Sequence, residues 1–208
     1  MRAPGKSIDR LYLASSNLGK LREFQTLAKA ADAAESFVAL ESLPSFDSLP
    51  SFEENAPTFA ENALGKALYY SQGRDALVFA DDSGLVVPAL GGAPGVHSAR
   101  YAGPTASSAE RVAKLLGELH GLKGEARRAY FVCAIALAER GRPVAIVTDR
   151  VDGEILESPQ GVGGFGYDPV FYFPQLQKAF AELNAEEKNQ YSHRGKAFRK
   201  LLAVLRDR

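Results

Sequence analysis

The stretch "RRAYFVCAIALAERGRPVAIVTDRVDGEI", residues 127–155, decides the fold class. Two long apolar runs, rich in β-branched residues, are separated only by the turn at Gly141. A turn that short joins antiparallel neighbours, whereas a parallel pair needs a crossover of about a dozen residues or more. A regular βαβ alternation is therefore excluded, and an α/β fold with a mixed sheet is predicted. Cys133 lies inside the first run and reads as a core strand residue.

Working outward, "SSAERVAKLLGELHG" (107–121) has helical spacing and a capping box from Ser107 to Glu110. "PALGGAPGVHSARYAGPT" (88–105) reads as a long loop, and "DALVFA" and "GLVV" as two strands around "DDSG". "TFAENALGKALYY" (58–70) is a helix whose Thr58 and Glu61 form a second capping box, which accounts for Glu61 structurally. The Ser/Pro-rich stretch 41–57 reads as a loop. "RLYLAS" (10–15) reads as a strand leading into the helix "NLGKLREFQTLAKAA", with Asn17 as N-cap. Downstream, "GFGYDPVFYFP" is a glycine turn feeding an aromatic strand. "NAEEKNQYS" is a short helix capped by Asn184, and "SHRGKAFRKLLAVLRDR" an amphipathic one.

The chain has 208 residues, with 25 Lys plus Arg against 25 Asp plus Glu. That length suits one domain, 1–208, undivided or with two lobes. A zero formal charge argues against a general nucleic-acid binder, which carries a basic excess. The single cysteine excludes a disulfide within the chain and suits a reducing compartment. No apolar run approaches the ~18 residues of a membrane span. The N-terminal "MRAPGKSIDR" lacks an apolar segment of signal type. The expectation is a cytoplasmic protein with no membrane partner.

The polar clusters fall at element ends. Lys20, Lys66 and Lys188 head or interrupt helices and, with the "SSNLGK" turn, could form a phosphate site, since hydroxyls and helix N-terminal N–H groups bind anions. The P-loop pattern is absent. Glu53, Glu54, Asp81 and Asp82 are the carboxylates available for Mg²⁺, which takes one or two of them plus substrate oxygens. "GVGGFGYDP" is followed by an aromatic strand rather than a helix, so a dinucleotide fingerprint is rejected. Phe165, Tyr167 and Asp168 are instead expected to face a flat ligand, and Phe171 and Phe173 to be core. His193 and Arg194 open the last helix as a pair of donors, while His97 and His120 read as surface or structural.

These clusters, carried by "SSNLGKLREF", "ENAPTFAENALGKA", "ADDSGLVVPALGGAPGVHSARYAG", "GGFGYDPVF" and "EEKNQYSHRGKAF", resemble the inosine/xanthosine triphosphate pyrophosphatase family. The resemblance covers residues 15–198. It implies an elongated mixed β-sheet flanked by helices, with two lobes and a central cleft, and a homodimer. It also implies Mg²⁺-dependent hydrolysis of a non-standard purine nucleoside triphosphate to its monophosphate and pyrophosphate. Carried onto this chain, Ser15, Ser16, Asn17 and Lys20 form the triphosphate turn, joined by Lys66 and Ser83. Glu54 and Asp82 hold the metal, and Asp82 is the catalytic base, with Asp81 in support. Phe165, Gly166, Tyr167, Asp168, Lys188, His193 and Arg194 form the base and sugar end. The family often has Gly where Ser16 stands, E-T-G where "ENAP" stands, and Asp where Pro88 stands. Pro88 obliges the strand from Leu85 to end or become an edge. The rival readings are a nucleotide-binding protein without catalysis and a septum-inhibitor-type nucleotide pyrophosphatase.

Overall fold

The computed structural model describes residues 10–32 and 39–208. The reading of the N-terminal stretch falls on residues 1–9, outside the described residues. Strand β1 (Arg10–Leu13) leads into helix α1 (Leu18–Asp32), and β2 (Ala39–Ser42) follows. Helix α2 (Phe59–Ser71) precedes β3 (Leu77–Val86), and α3 (Ser108–Glu118) precedes β4 (Arg128–Glu139) and β5 (Arg142–Ile155). Short strands β6 (Phe171–Phe173) and β7 (Lys178–Ala179) lead to α4 (Ala185–Tyr191) and α5 (His193–Arg206).

The strands hydrogen-bond in the order β2-β1-β3-β4-β5-β6-β7. β1 pairs in parallel with β2 and β3, whereas β5, β6 and β7 pair antiparallel, so the sheet is mixed. The β4–β5 turn takes positive φ at both Arg140 (53°) and Gly141 (72°), as a tight hairpin turn requires. β4 is buried on both faces from Cys133 to Ala138, which explains its uninterrupted apolar run. The capping residues behave as expected: Asn17, Thr58, Ser107 and Asn184 each accept from the N–H three residues on.

Two readings need correction. The "DDSG" segment is not a turn between two strands; β3 runs unbroken through Asp81–Gly84 for ten residues. Hydrophobicity alone suggested a break, but Asp81 and Asp82 are accommodated in the strand by partners on its two faces. The stretch 41–57 is not loop throughout: its first two residues finish β2, and Phe46–Ser48 form a 3-10 turn. β3 does stop before Pro88, which opens another 3-10 turn at Pro88–Leu90.

Contacts divide the chain into two compact units. The first combines residues 1–82, 134–149 and 194–208; the second combines 83–133 and 150–193. In the first, Phe24 of α1 meets Phe79 edge-on at 5.2 Å and Phe198 of α5 at 5.4 Å. Ala63, Ala67 and Tyr70 of α2 pack with Val78, Ala80 and the β4 alanines. Side chains alternate along a strand, so α1 and α5 cover the Phe79 face of β3 and α2 covers the Val78/Ala80 face. The small alanines let α2 lie close to the strands. In the second unit the core is aromatic: Phe131, Phe171, Phe173 and Phe180 pack with ring centroids 4.5–5.8 Å apart. Among the described residues no helix is long and apolar enough to cross a membrane.

Candidate functional site

The chain leaves β1 towards β2 on one side and then returns to β3 on the other. In parallel sheets, ligands bind at the carboxyl ends of the strands flanking such a reversal. Here that places the turn after β1 and the aspartates of β3 together. Asn17 caps α1: its Oδ1 accepts from Lys20 N at 3.1 Å, and Ser15 Oγ accepts from Asn17 N at 3.2 Å. Ser16 and Asn17 are exposed at this helix start, where N–H groups attract anions.

Strand alternation sends the two aspartates to opposite faces. Asp81 shares the Phe79 face and is fully buried; its Oδ2 lies 2.9 Å from Lys20 Nζ and 3.9 Å from Arg194 Nε. Arg194 also pairs with Glu23 of α1. Burial alone would raise the Asp81 pKa, but the charges of Lys20, Arg194 and Lys66 outweigh it and hold the carboxyl below its ordinary value.

Asp82 shares the α2 face and is 5% exposed; its Oδ2 accepts from Asn62 Nδ2 at 3.0 Å. Burial, helped by the Glu54 charge, pushes its pKa up to about 6, against the lowering pull of Lys20, Lys66 and the Asn62 hydrogen bond. Lys66, buried on α2, pairs with Glu54. Two carboxylates that feel each other's charge suit a hard divalent cation. No group of three or more His, Cys, Asp or Glu among the described residues could hold a metal by itself.

In the second unit, Asp168 Oδ2 accepts from Phe165 N at 2.8 Å and from Lys188 Nζ at 2.7 Å. Lys188 Nζ stands 5.2 Å from the Phe165 ring centroid. Gly164 has φ +71°, and a Cβ there would collide with the Asp168 carboxylate, so glycine permits this closure. Gly166 has φ 65°. Ser83 follows Asp82 in β3 and is half-buried.

One placement differs from expectation. Tyr167 does not face outward; its ring joins the core, and its hydroxyl donates to Ser98 O at 3.0 Å. His193 is buried and stacks on Phe131 at 4.8 Å. Arg194 engages Glu23 and Asp81. Cys133, Phe171 and Phe173 are core, and His97 and His120 are exposed, as read from the sequence. Asn62 and Glu23 were missed. Asn62 was legible in principle, because it shares the buried helical stripe of Ala63, Lys66, Ala67 and Tyr70. A polar residue on such a stripe has a partner to find.

A sequence model of the Ham1 family matches residues 11–204. The chain belongs to the Ham1 family. Among its Ham1 relatives, the dITP/XTP pyrophosphatase of Geobacillus kaustophilus is 53% identical over 191 residues, covering 92% of this chain and 91% of that protein. The dITP/XTP pyrophosphatase of Thermus thermophilus is 46% identical over 206 residues, covering 95% and 92%. The HAM1 protein of Coxiella burnetii has a similar structure, with a TM-score of 0.83 and 41% identity over 96% of this chain and all of that one. The Ham1 protein of Staphylococcus aureus gives a TM-score of 0.82 at 37% identity, covering 96% and 99%.

Proposed function

We infer that this Ham1 protein hydrolyses non-standard purine nucleoside triphosphates (ITP, dITP and XTP) to the monophosphate and pyrophosphate, cleansing the nucleotide pool. It is a nucleoside triphosphate pyrophosphatase. The observation that carries this reading is the meeting of Lys20, Lys66, Glu54 and Asp82 beside the end of β1 and the middle of β3, in a chain whose relatives bear that name.

Glu54 and Asp82 are the residues proposed to hold a divalent metal, which we take to be Mg²⁺. When bound, it offsets phosphate charge and draws electron density from phosphorus. The N-terminal N–H groups of α1, with Ser15, Ser16 and Asn17, bind phosphate oxygens. The Ser83 hydroxyl joins them. Asp82 takes the proton from the water that attacks the α-phosphorus. Its raised pKa brings its basicity nearer neutral pH, as a general base needs. Lys20 and Lys66 offset the charge of the departing pyrophosphate.

At the base end, the purine stacks on Phe165. Asp168 holds Lys188 and the Phe165 backbone in place, Gly166 gives the turn its conformation, and Tyr167 anchors it in the core. His193 and Arg194 are the donors proposed for the 6-oxo group. Arg194 is held by Glu23 and Asp81, so meeting a base costs it one of those contacts. Adenine presents a 6-amino donor and leaves such donors unpaired, a mismatch worth several orders of magnitude in kcat/KM. The same reading places the protein in the cytoplasm as a homodimer.

Pyrophosphate release should be measured on a panel of eight nucleotides, with and without Mg²⁺. Turnover of ITP, dITP and XTP that needs the metal, far above that of ATP, is expected. Binding of ITP without metal-dependent release would sink the catalytic reading.

A further inference from the structure

We propose that Asn62 is a positioning residue that ties the loop carrying Glu54 to the carboxylate of Asp82, so that both can meet one cation. This rests on the metal-binding reading above.

Asn62 lies in the first turns of α2 and is 1% exposed. All its amide capacity on this side is committed. Its Oδ1 accepts from Ala56 N at 2.9 Å, and its Nδ2 donates to Ala56 O at 3.2 Å. The second Nδ2 hydrogen goes to Asp82 Oδ2 at 3.0 Å. These three partners fix the amide orientation, because a flipped amide would set its oxygen against two acceptors and its nitrogen against a donor.

The paired bonds to Ala56 resemble a strand pairing made by a side chain. They hold the backbone two residues beyond Glu54. The turn before it is also closed, by Asn55 N donating to Glu53 O at 3.1 Å. The loop is thereby anchored at a point one side chain away from β3. A clamp serving the loop alone would be complete with the Ala56 bonds; the third bond reaches a different element and a carboxylate.

A purely apolar residue of similar size would fill the same space without that bond. Asn also adds no charge, so it fixes Asp82 without competing as a ligand. Lys66 lies one helical turn further along the same stripe and pairs with Glu54. One face of α2 thus addresses both carboxylates: Asn62 holds Asp82, and Lys66 holds Glu54. Groups that orient ligating carboxylates typically change metal affinity by about 10–100-fold when removed.

The test uses the full chain and Mn²⁺ alone as probe. Asn62→Ala leaves room for water beside Ala56 and Asp82; Asn62→Leu keeps the volume and guards against collapse of the first variant. Three quantities are read: the Mn²⁺ dissociation constant without nucleotide, the Mg²⁺ midpoint of pyrophosphate release from ITP, and the melting temperature without metal. The expected result is a rise of about tenfold or more in the dissociation constant, with a parallel rise in the Mg²⁺ midpoint. KM for ITP at saturating Mg²⁺ should stay near that of the unaltered protein. A lower melting temperature with both metal constants unchanged overturns the proposal, since that is what a structural asparagine would give. Failure of the unaltered protein to release pyrophosphate from ITP in the presence of Mg²⁺ would instead sink the functional reading beneath it.

Discussion

Burial acts on Asp81 and Asp82 alike, and their partners set them apart. Asp81 is surrounded by Lys20 and Arg194, and its carboxyl is held below the ordinary value. Its contribution to stability is therefore present above the unfolded pKa of about 4 and lost as pH falls through the lower folded value. Asp81→Asn should destabilise the protein at pH 7 by about 3–5 kcal/mol, because it strands buried cations. Asp82 has the opposite sign. Its pKa of about 6 means that the folded state resists the charged form. That penalty is full above pH 6 and fades as pH falls towards 4. Asp82→Asn should raise stability at pH 8 in EDTA by on the order of 1–3 kcal/mol, with the gain shrinking by pH 5. Pyrophosphate release should be nearly abolished. Thermal unfolding of both variants at the two pH values checks the contrast; equal signs would refute it. The pair itself was legible in the sequence. The identity of the partners was not, because Arg194 lies far along the chain.

At the scale of elements, the strands and caps were readable where local chemistry dominates. The capping boxes, the Gly141 hairpin and the stop before Pro88 all follow from single residues. β3 was misread because two charges inside a strand violate the hydrophobic pattern, and only its neighbours explain them. Gly84 illustrates a second nonlocal cause. A Cβ there would lie 2.7 Å from Gly95 O and crowd Ser98, whose hydroxyl accepts from Leu85 N at 2.9 Å. Gly84→Ala should cost about 1–3 kcal/mol, seen as a lower urea midpoint at unchanged m-value. Arg127, which opens the stretch quoted first, carried no sequence signal beyond its charge. It is buried and donates to the carbonyls of Leu119, Leu122, Ile155 and Leu156 at 2.6–3.3 Å, joining the end of α3 to the end of β5. Arg127→Ala should destabilise by about 3 kcal/mol, and Arg127→Lys should recover only part of that, since one ammonium lacks the planar fork. Chemical denaturation of the two variants reads the difference.

For the whole molecule, family membership was legible because its motifs are long. The proposed homodimer predicts a sedimentation mass of twice the 22.4 kDa of the chain; a single-chain mass at micromolar concentration would refute it. The assembly of each unit from separated segments was not legible, since contacts between distant segments leave no local signature. That assembly also has a consequence on the ribosome. Lys20, Glu23 and Asp81 are synthesised early, but Arg194 and the Phe198 that covers Phe24 arrive only with α5. At about 5–20 residues per second, the nascent chain holds that carboxylate without its arginine, and that aromatic face uncovered, for on the order of ten seconds. The charge network therefore closes last, after nearly all of the sheet has been made.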